Sequence, residues 1–317
     1  MTPEFNLIAA YFARPCPQAD LGVGDDAALI RLDKGMQLSV SSDMLVAGTH
    51  FLADCAPYFI GWKSLAVNVS DMAAMGAQAK WATLAIALPN IDAAWLAEFS
   101  RGFFACADAY NIDLIGGDTT RGPLNISVTI MGQVPMGKAL LRSGAKPKDD
   151  IWVSGQLGSA ALGLAHLQDQ LALTESTLET CISALQNPIP RLLLGIALQH
   201  IASSCIDISD GLLADLGHIL KASNCGAALD LEAIPCIEVL KTSLQNASTQ
   251  NYILAGGDDY ELCFTAPKSA RESIDEISNN LSCPLSLIGE IHAGNDLSVT
   301  YQNQQINTSK KGFDHFG

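Results

Sequence analysis

The sequence predicts a mixed α/β (α+β) protein of two domains. Strand-like and helical segments alternate in both halves of the chain. Its 317 residues exceed what one hydrophobic core usually serves. A polar stretch carrying glycine and proline, LRSGAKPKDD at 141–150, divides the two halves. The expected domains are 1–140 and 150–317.

The elements follow from periodicity. Residues 37–42, 80–88 (KWATLAIAL) and 125–134 (NISVTIMGQV) have strand character, the last by alternation. Between them, 58–75 places Trp62, Leu65, Val69 and Met72 at helical spacing, and 93–110 does the same with Trp95, Phe99, Phe103 and Ala107. Beyond 150 we expect strands at 151–154 and 260–265, and helices at 158–168, 190–203 and 210–223. Residues 246–251 and 303–309 read as loops. No fixed-period repeat is present.

Composition narrows the class. Hydrophobic residues make up 49% and charged residues 16%, an ordinary globular balance too apolar for disorder. The chain lacks a run of about 18 apolar residues, so no membrane span is expected. Its start, MTPEFNLIAAYFARP, lacks the basic, apolar and cleavage regions of a signal peptide. The nine cysteines are odd in number, form no C-x-x-C pair and sit partly among small or apolar neighbours, as at Cys106 and Cys263. They read as buried reduced thiols of a cytoplasmic protein rather than zinc ligands or disulfides. A net charge of −15 argues against nucleic acid and anionic membranes. Phosphate ligands remain open to it, with the help of added cations.

Chemistry concentrates in short acidic clusters: GVGDDAA at 22–28, SSD at 41–43, SDMAAMGA at 70–77, GGDTTRG at 116–122, DISDG at 207–211 and GGDDYEL at 256–262. The first superficially fits a dinucleotide fingerprint, but Asp25 and Asp26 would repel a pyrophosphate. It fits a tight turn or a divalent-cation site. Asp71 sits in an apolar helical pattern with Asn68 one turn earlier, and a carboxylate there needs a partner. GGDTTRG reads equally as a plain turn or as a ligand loop with Asp118 as an oxygen donor. In DISDG, Ser209 or Asp210 could simply cap a helix, yet Asp207 has no such need to be acidic. The spacing excludes an EF-hand. The GQVPMGKA segment at 132–139 misses a P-loop, since Ala139 replaces the required Ser or Thr. Gathered carboxylates repel unless a cation holds them. An all-oxygen donor set points to Mg²⁺ or Mn²⁺, and such sites usually serve phosphates. Arg121, Arg142 and Lys146 are the nearby cations.

In their order, GVGDDAA, SSDMLVAGTHF, NVSDMAAMGA, GGDTTRG, LRSGAKPKD, DISDGLLADLGHI and GGDDYELCF resemble the bacterial thiamine-monophosphate kinase family. That family belongs to the superfamily of aminoimidazole ribonucleotide synthetase and selenophosphate synthetase. The resemblance runs from Phe5 to the tail at 312–316. Selenophosphate synthetase fits less well, because Cys16 lies between prolines with no following lysine.

The resemblance implies an N-terminal domain (1–140) that binds ATP and Mg²⁺ and dimerises through its sheet, and a C-terminal α/β domain (150–317), with the active site between them. It implies transfer of the ATP γ-phosphoryl group to thiamine monophosphate, the final step of thiamine diphosphate biosynthesis, in a cytoplasmic homodimer. Asp26, Ser41, Ser42, Asp43, Asp71, Asp118, Asp207 and Asp210 would hold several Mg²⁺ ions. Gly117, Asp118, Arg142 and Ser209 would contact ATP, and His50, Asp258 and Phe313 the thiamine phosphate. Two positions depart from the family: Asp258 stands where Glu is common, and Ser100 where Tyr is frequent. The acceptor phosphate, with a second pKa of about 6, is already largely a dianion at neutral pH. We therefore expect no residue acting as general base, and direct in-line transfer. A ligase-like synthetase of the same superfamily and a non-catalytic nucleotide sensor remain the alternatives.

Overall fold

A computed structural model describes residues 3–307 and 312–313. The chain divides into two compact units, one of Met1–Met72 with Ala77–Gly137, the other of Ala73–Gly76 with Lys138–Gly317.

The first unit contains α1 (Pro3–Tyr11), β1 (Met36–Val46), α2 (Pro57–Ala74), β2 (Gln78–Leu88), α3 (Ala93–Tyr110), β3 (Asp113–Arg121) and β4 (Asn125–Pro135). Its four strands order as β1-β4-β2-β3, antiparallel except for the β2–β3 pair. The two long helices end where the periodicity predicts. Asp92 caps α3 by accepting the N–H groups of Ala94 and Trp95, and Asn111 ends it in the left-handed conformation. Trp81, Phe99, Phe103, Leu65 and Met72 are fully buried. Helices α2 and α3 meet backbone to backbone: a Cβ on Gly61 would lie 2.0 Å from the Phe99 carbonyl oxygen, and one on Gly102 would lie 1.8 Å from that of Tyr58.

The second unit contains β5 (Asp150–Ser154), α4 (Ser159–Leu167), α5 (Glu175–Gln186), α6 (Leu192–Leu198), β6 (Ser204–Ile208), α7 (Leu212–Ser223), β7 (Gly226–Asp230), α8 (Glu238–Lys241), α9 (Ala247–Ala255), β8 (Glu261–Ala266), α10 (Arg271–Leu281), β9 (Leu285–His292), β10 (Leu297–Tyr301) and β11 (Gln304–Gln305). Its mixed sheet orders as β11-β10-β7-β9-β5-β8-β6. Strands β5, β6 and β8 are buried along their whole length. The mixed α/β class holds in both units.

Several local expectations are corrected. Gly116 to Arg121 of GGDTTRG belong to strand β3, not to a turn, because their backbone pairs with β2. Residues 247–251 lie in α9, with Asn246 at its N-cap. The helix expected at 190–203 is only α6. At 303–307 the chain makes the β10–β11 hairpin, and 308–309 lie outside the described residues. The near P-loop is the end of β4 followed by a turn in which the Met136 N–H bonds to the Gly35 carbonyl. All nine cysteines are free, seven of them buried. None of the described helices is long and apolar enough to cross a membrane.

Candidate active site

In the first unit an acidic face forms between β1 and α2. Alternation along β1 turns Ser41 and Asp43 to one side and Ser42 to the other. The Ser41 hydroxyl donates to Asp71 Oδ2 at 2.5 Å. The Asp43 N–H donates to Asn68 Oδ1 at 3.2 Å, and fully buried Asn68 is held in turn by the Ser64 carbonyl. Asp71 thus finds the partner that its apolar surroundings require. Ser42 bonds instead to Thr129 Oγ1 and the Val128 carbonyl on the neighbouring strand.

The other predicted residues of this unit stand apart from that pair. Asp26 lies in an exposed loop closed by the Leu21–Leu29 bridge. His50 follows β1, and its Nδ1 accepts the Val46 N–H at 3.0 Å, which leaves the proton on Nε2 when the ring is neutral. The largely buried Lys63 donates to the His50 carbonyl. Gly117 pairs with Leu84 in the row that contains Val128 and Asp43, and Asp118 pairs with Ala85 in the next row. Three strand spacings separate Gly117 from Asp43, roughly 14 Å. Gly117 has φ +153, and a Cβ there would lie 1.8 Å from the Leu84 carbonyl oxygen. No other residue fits that close backbone approach.

In the second unit the loop Ser209–Gly211 organises the predicted residues. It leaves the edge strand β6, on which Asp207 is buried, and enters α7. Neither Ser209 nor Asp210 caps the helix. Gly211 occupies the N-cap with φ +115 and no side-chain bond. Asp215, inside the first turn, reaches back instead: its Oδ2 accepts the N–H groups of Ser209, Asp210 and Gly211 at 3.0, 3.0 and 3.1 Å. Burial pushes the Asp215 carboxyl up to about 7, with Asp207 and Asp210 adding repulsion while the N–H donors pull it down. The carbonyls of the same loop are also engaged. That of Ser209 accepts the Asp258 N–H at 2.9 Å, and that of Asp210 accepts the Phe313 N–H at 3.0 Å.

The segment GGDDYEL divides its labour. Asp259 is half-buried; desolvation raises its carboxyl well above the usual range, and both its oxygens accept the Gly158 N–H that opens α4. Asp258 is half-buried and accepts from the Tyr260 hydroxyl at 3.1 Å. Arg142 is exposed, and its carbonyl accepts from Ser223, whose hydroxyl also takes the Gly144 and Ala145 N–H groups. The Phe313 side chain is exposed, while Asp314, His315 and Phe316 lie outside the described residues.

The structure therefore joins Ser41, Asp43 and Asp71 in one unit, and Asp207, Ser209, Asp210, Asp258 and Phe313 in the other. Among the described residues no three His, Cys, Asp or Glu side chains are gathered tightly enough to hold a metal ion. The donors present are carboxylate and hydroxyl oxygens, which suit a hard divalent cation. Asp215 went unnoticed in the sequence. An acid among leucines in DGLLADLGHI was the available signal, the same one that marked Asp71.

This pair of units defines an AIR synthase related protein: the family's N-terminal domain matches residues 24–134 and its C-terminal domain 146–302. Within that class the chain belongs to the thiamine-monophosphate kinase family. The thiamine-monophosphate kinase of Escherichia coli K12 is 46% identical over 318 residues, covering 99% of this chain and 98% of that protein. The crystal structure of thiamine-monophosphate kinase from Stenotrophomonas maltophilia K279a is 44% identical with a TM-score of 0.85, covering 95% and 96% of the two chains. AaThiL complexed with AMPPCP and TMP is 29% identical with a TM-score of 0.78, covering 90% of this chain and 89% of that one.

Proposed function

We propose that this chain phosphorylates thiamine monophosphate with ATP, giving thiamine diphosphate and ADP, the final step of thiamine diphosphate formation. The observation that carries the reading is the end-to-end likeness to thiamine-monophosphate kinases, 46% identity across 99% of the chain. AaThiL binds AMPPCP and TMP together, which supports ATP and thiamine monophosphate as co-substrates here.

Ser41, Ser42, Asp43, Asp71, Asp26, Asp118, Asp207 and Asp210 would hold Mg²⁺ ions. When bound, Mg²⁺ supplies charge neutralisation between two polyanionic reactants. Gly117, Asp118, Arg142 and Ser209 would bind ATP, and His50, Asp258 and Phe313 the acceptor. No side chain is required as general base, because the attacking phosphate is already largely ionised. The residues contribute alignment and a fixed electrostatic environment, as in other phosphoryl transfers. Transfer is direct and in line, and a phosphorylated protein trapped during turnover would contradict this.

The decisive measurement is ADP release from Mg²⁺-ATP with and without thiamine monophosphate. Acceptor-dependent release with thiamine diphosphate as product is the expected result. Release without the acceptor would favour a synthetase, and ATP binding with no release would favour a sensor.

The protein acts as a homodimer in this reading, pairing through the sheet of the first unit. Leu38, Val40 and Met44 support it: they are exposed, and they alternate along β1 with the side chains that face α2. Val40→Glu is expected to convert a dimer to a monomer in sedimentation velocity. An unchanged dimer would place the interface elsewhere. A cytoplasmic location agrees with nine free thiols.

A further inference from the structure

We propose that Tyr260 is the positioning residue for Asp258, orienting that carboxylate toward the thiamine moiety of the acceptor; this rests on reading Asp258 as an acceptor contact. The Tyr260 hydroxyl donates to Asp258 Oδ1 at 3.1 Å. The backbone that brings the two side chains together is unusual. Asp258 has φ +69 and Tyr260 φ +49, both in the left-handed region that a bulky aromatic residue enters only when its surroundings hold it there.

Backbone hydrogen bonds supply that hold. The Asp258 N–H bonds to the Ser209 carbonyl, and the Tyr260 N–H to the Ile208 carbonyl at 2.8 Å. Between them the Asp259 carboxylate is held elsewhere, by the Gly158 N–H at 3.0 Å. Three consecutive residues are thus pinned. Strain of this kind clusters where geometry serves function. Packing alone does not explain the phenol, since a phenylalanine would fill the same volume.

The chemistry matches the acceptor. Thiamine carries a fixed positive charge on its thiazolium ring and N–H donors on its aminopyrimidine, and a carboxylate complements either. An aspartate has a short reach, so its rotamer must be set before the ligand arrives. A charge-assisted hydrogen bond from a rigid phenol does this.

The test is steady-state kinetics of Tyr260→Phe, Asp258→Asn and the double variant, with thermal melting to confirm folding. For Tyr260→Phe we expect KM for thiamine monophosphate to rise about tenfold, with kcat and KM for ATP within about twofold of wild type. In the Asp258→Asn background the tyrosine change should add almost nothing, because its target is gone. Equal rises in both KM values, or a full additional loss in the double variant, would overturn the positioning role. If Asp258→Asn leaves KM for the acceptor unchanged, the reading of Asp258 falls and this proposal with it. If Asp258→Asn is impaired and Tyr260→Phe is not, only the role of Tyr260 falls.

Discussion

Asp71→Asn is expected to lower kcat/KM about a thousandfold while leaving the protein folded. The amide is nearly isosteric with the carboxylate, and its carbonyl oxygen can still accept the Ser41 hydroxyl that bonds Asp71 at 2.5 Å. What disappears is the negative charge beside Asp43, on the face where β1 meets α2. Removing one preorganised electrostatic contact from a transition state typically costs two to three powers of ten, and loss of a metal-binding carboxylate belongs at the upper end. Two readouts separate this from a folding defect. The melting temperature should stay within a few degrees of wild type, and the Mg²⁺ concentration needed for half-maximal nucleotide binding should rise. Full activity would overturn the proposal that Asp71 binds Mg²⁺.

Asp215→Ala acts on a different quantity. Its side chain is the shared acceptor for the N–H groups of Ser209, Asp210 and Gly211, in a site only 3% exposed. Truncation strands those donors and opens a small void. A buried donor left unpaired, as the Gly211 N–H would be, costs about 1–3 kcal/mol, and the half-buried Ser209 and Asp210 N–H groups less because water can reach them. Allowing for relaxation of the loop, we expect a loss of about 3 kcal/mol in urea unfolding with an unchanged m-value. Asp215→Asn keeps one acceptor oxygen in place and should lose less. Activity should fall in the alanine variant too, since the loop also receives the Asp258 and Phe313 N–H groups. A stable and active Asp215→Ala protein would show that the loop holds its own shape.

How much of this was legible depended on whether a residue's environment is local. Helices α2 and α3 were readable because their apolar positions recur every three or four residues and their ends carry turn chemistry. Strand β3 was not, because Gly116 and Gly117 carry no strand propensity. Only the pairing of β3 with β2 makes an extended backbone there, and only the Leu84 carbonyl explains the missing side chain. Helix α9 was hidden by the polar run at 246–251. Among site residues, the partnership of Asp71 was anticipated from its apolar neighbours, though Ser41 as the partner required the fold. The backward cap of Asp215 has no fixed motif. Ser209 and Asp210 precede the helix, where capping residues ordinarily stand, whereas Asp215 lies inside it.

The glycine contact between α2 and α3 bears on timing. With Gly61 and Gly102 letting backbones touch, the two helices pack at their closest approach, and a shift of α2 along α3 would bring bulkier residues into that contact. The height of Asp71 over β1 is therefore decided while this unit folds, before any ligand is present. If the proposed Mg²⁺ site is correct, a cation would meet side chains already placed by the fold rather than a segment that must order around it. The entropy of arranging these oxygens is spent once per protein lifetime and not once per turnover.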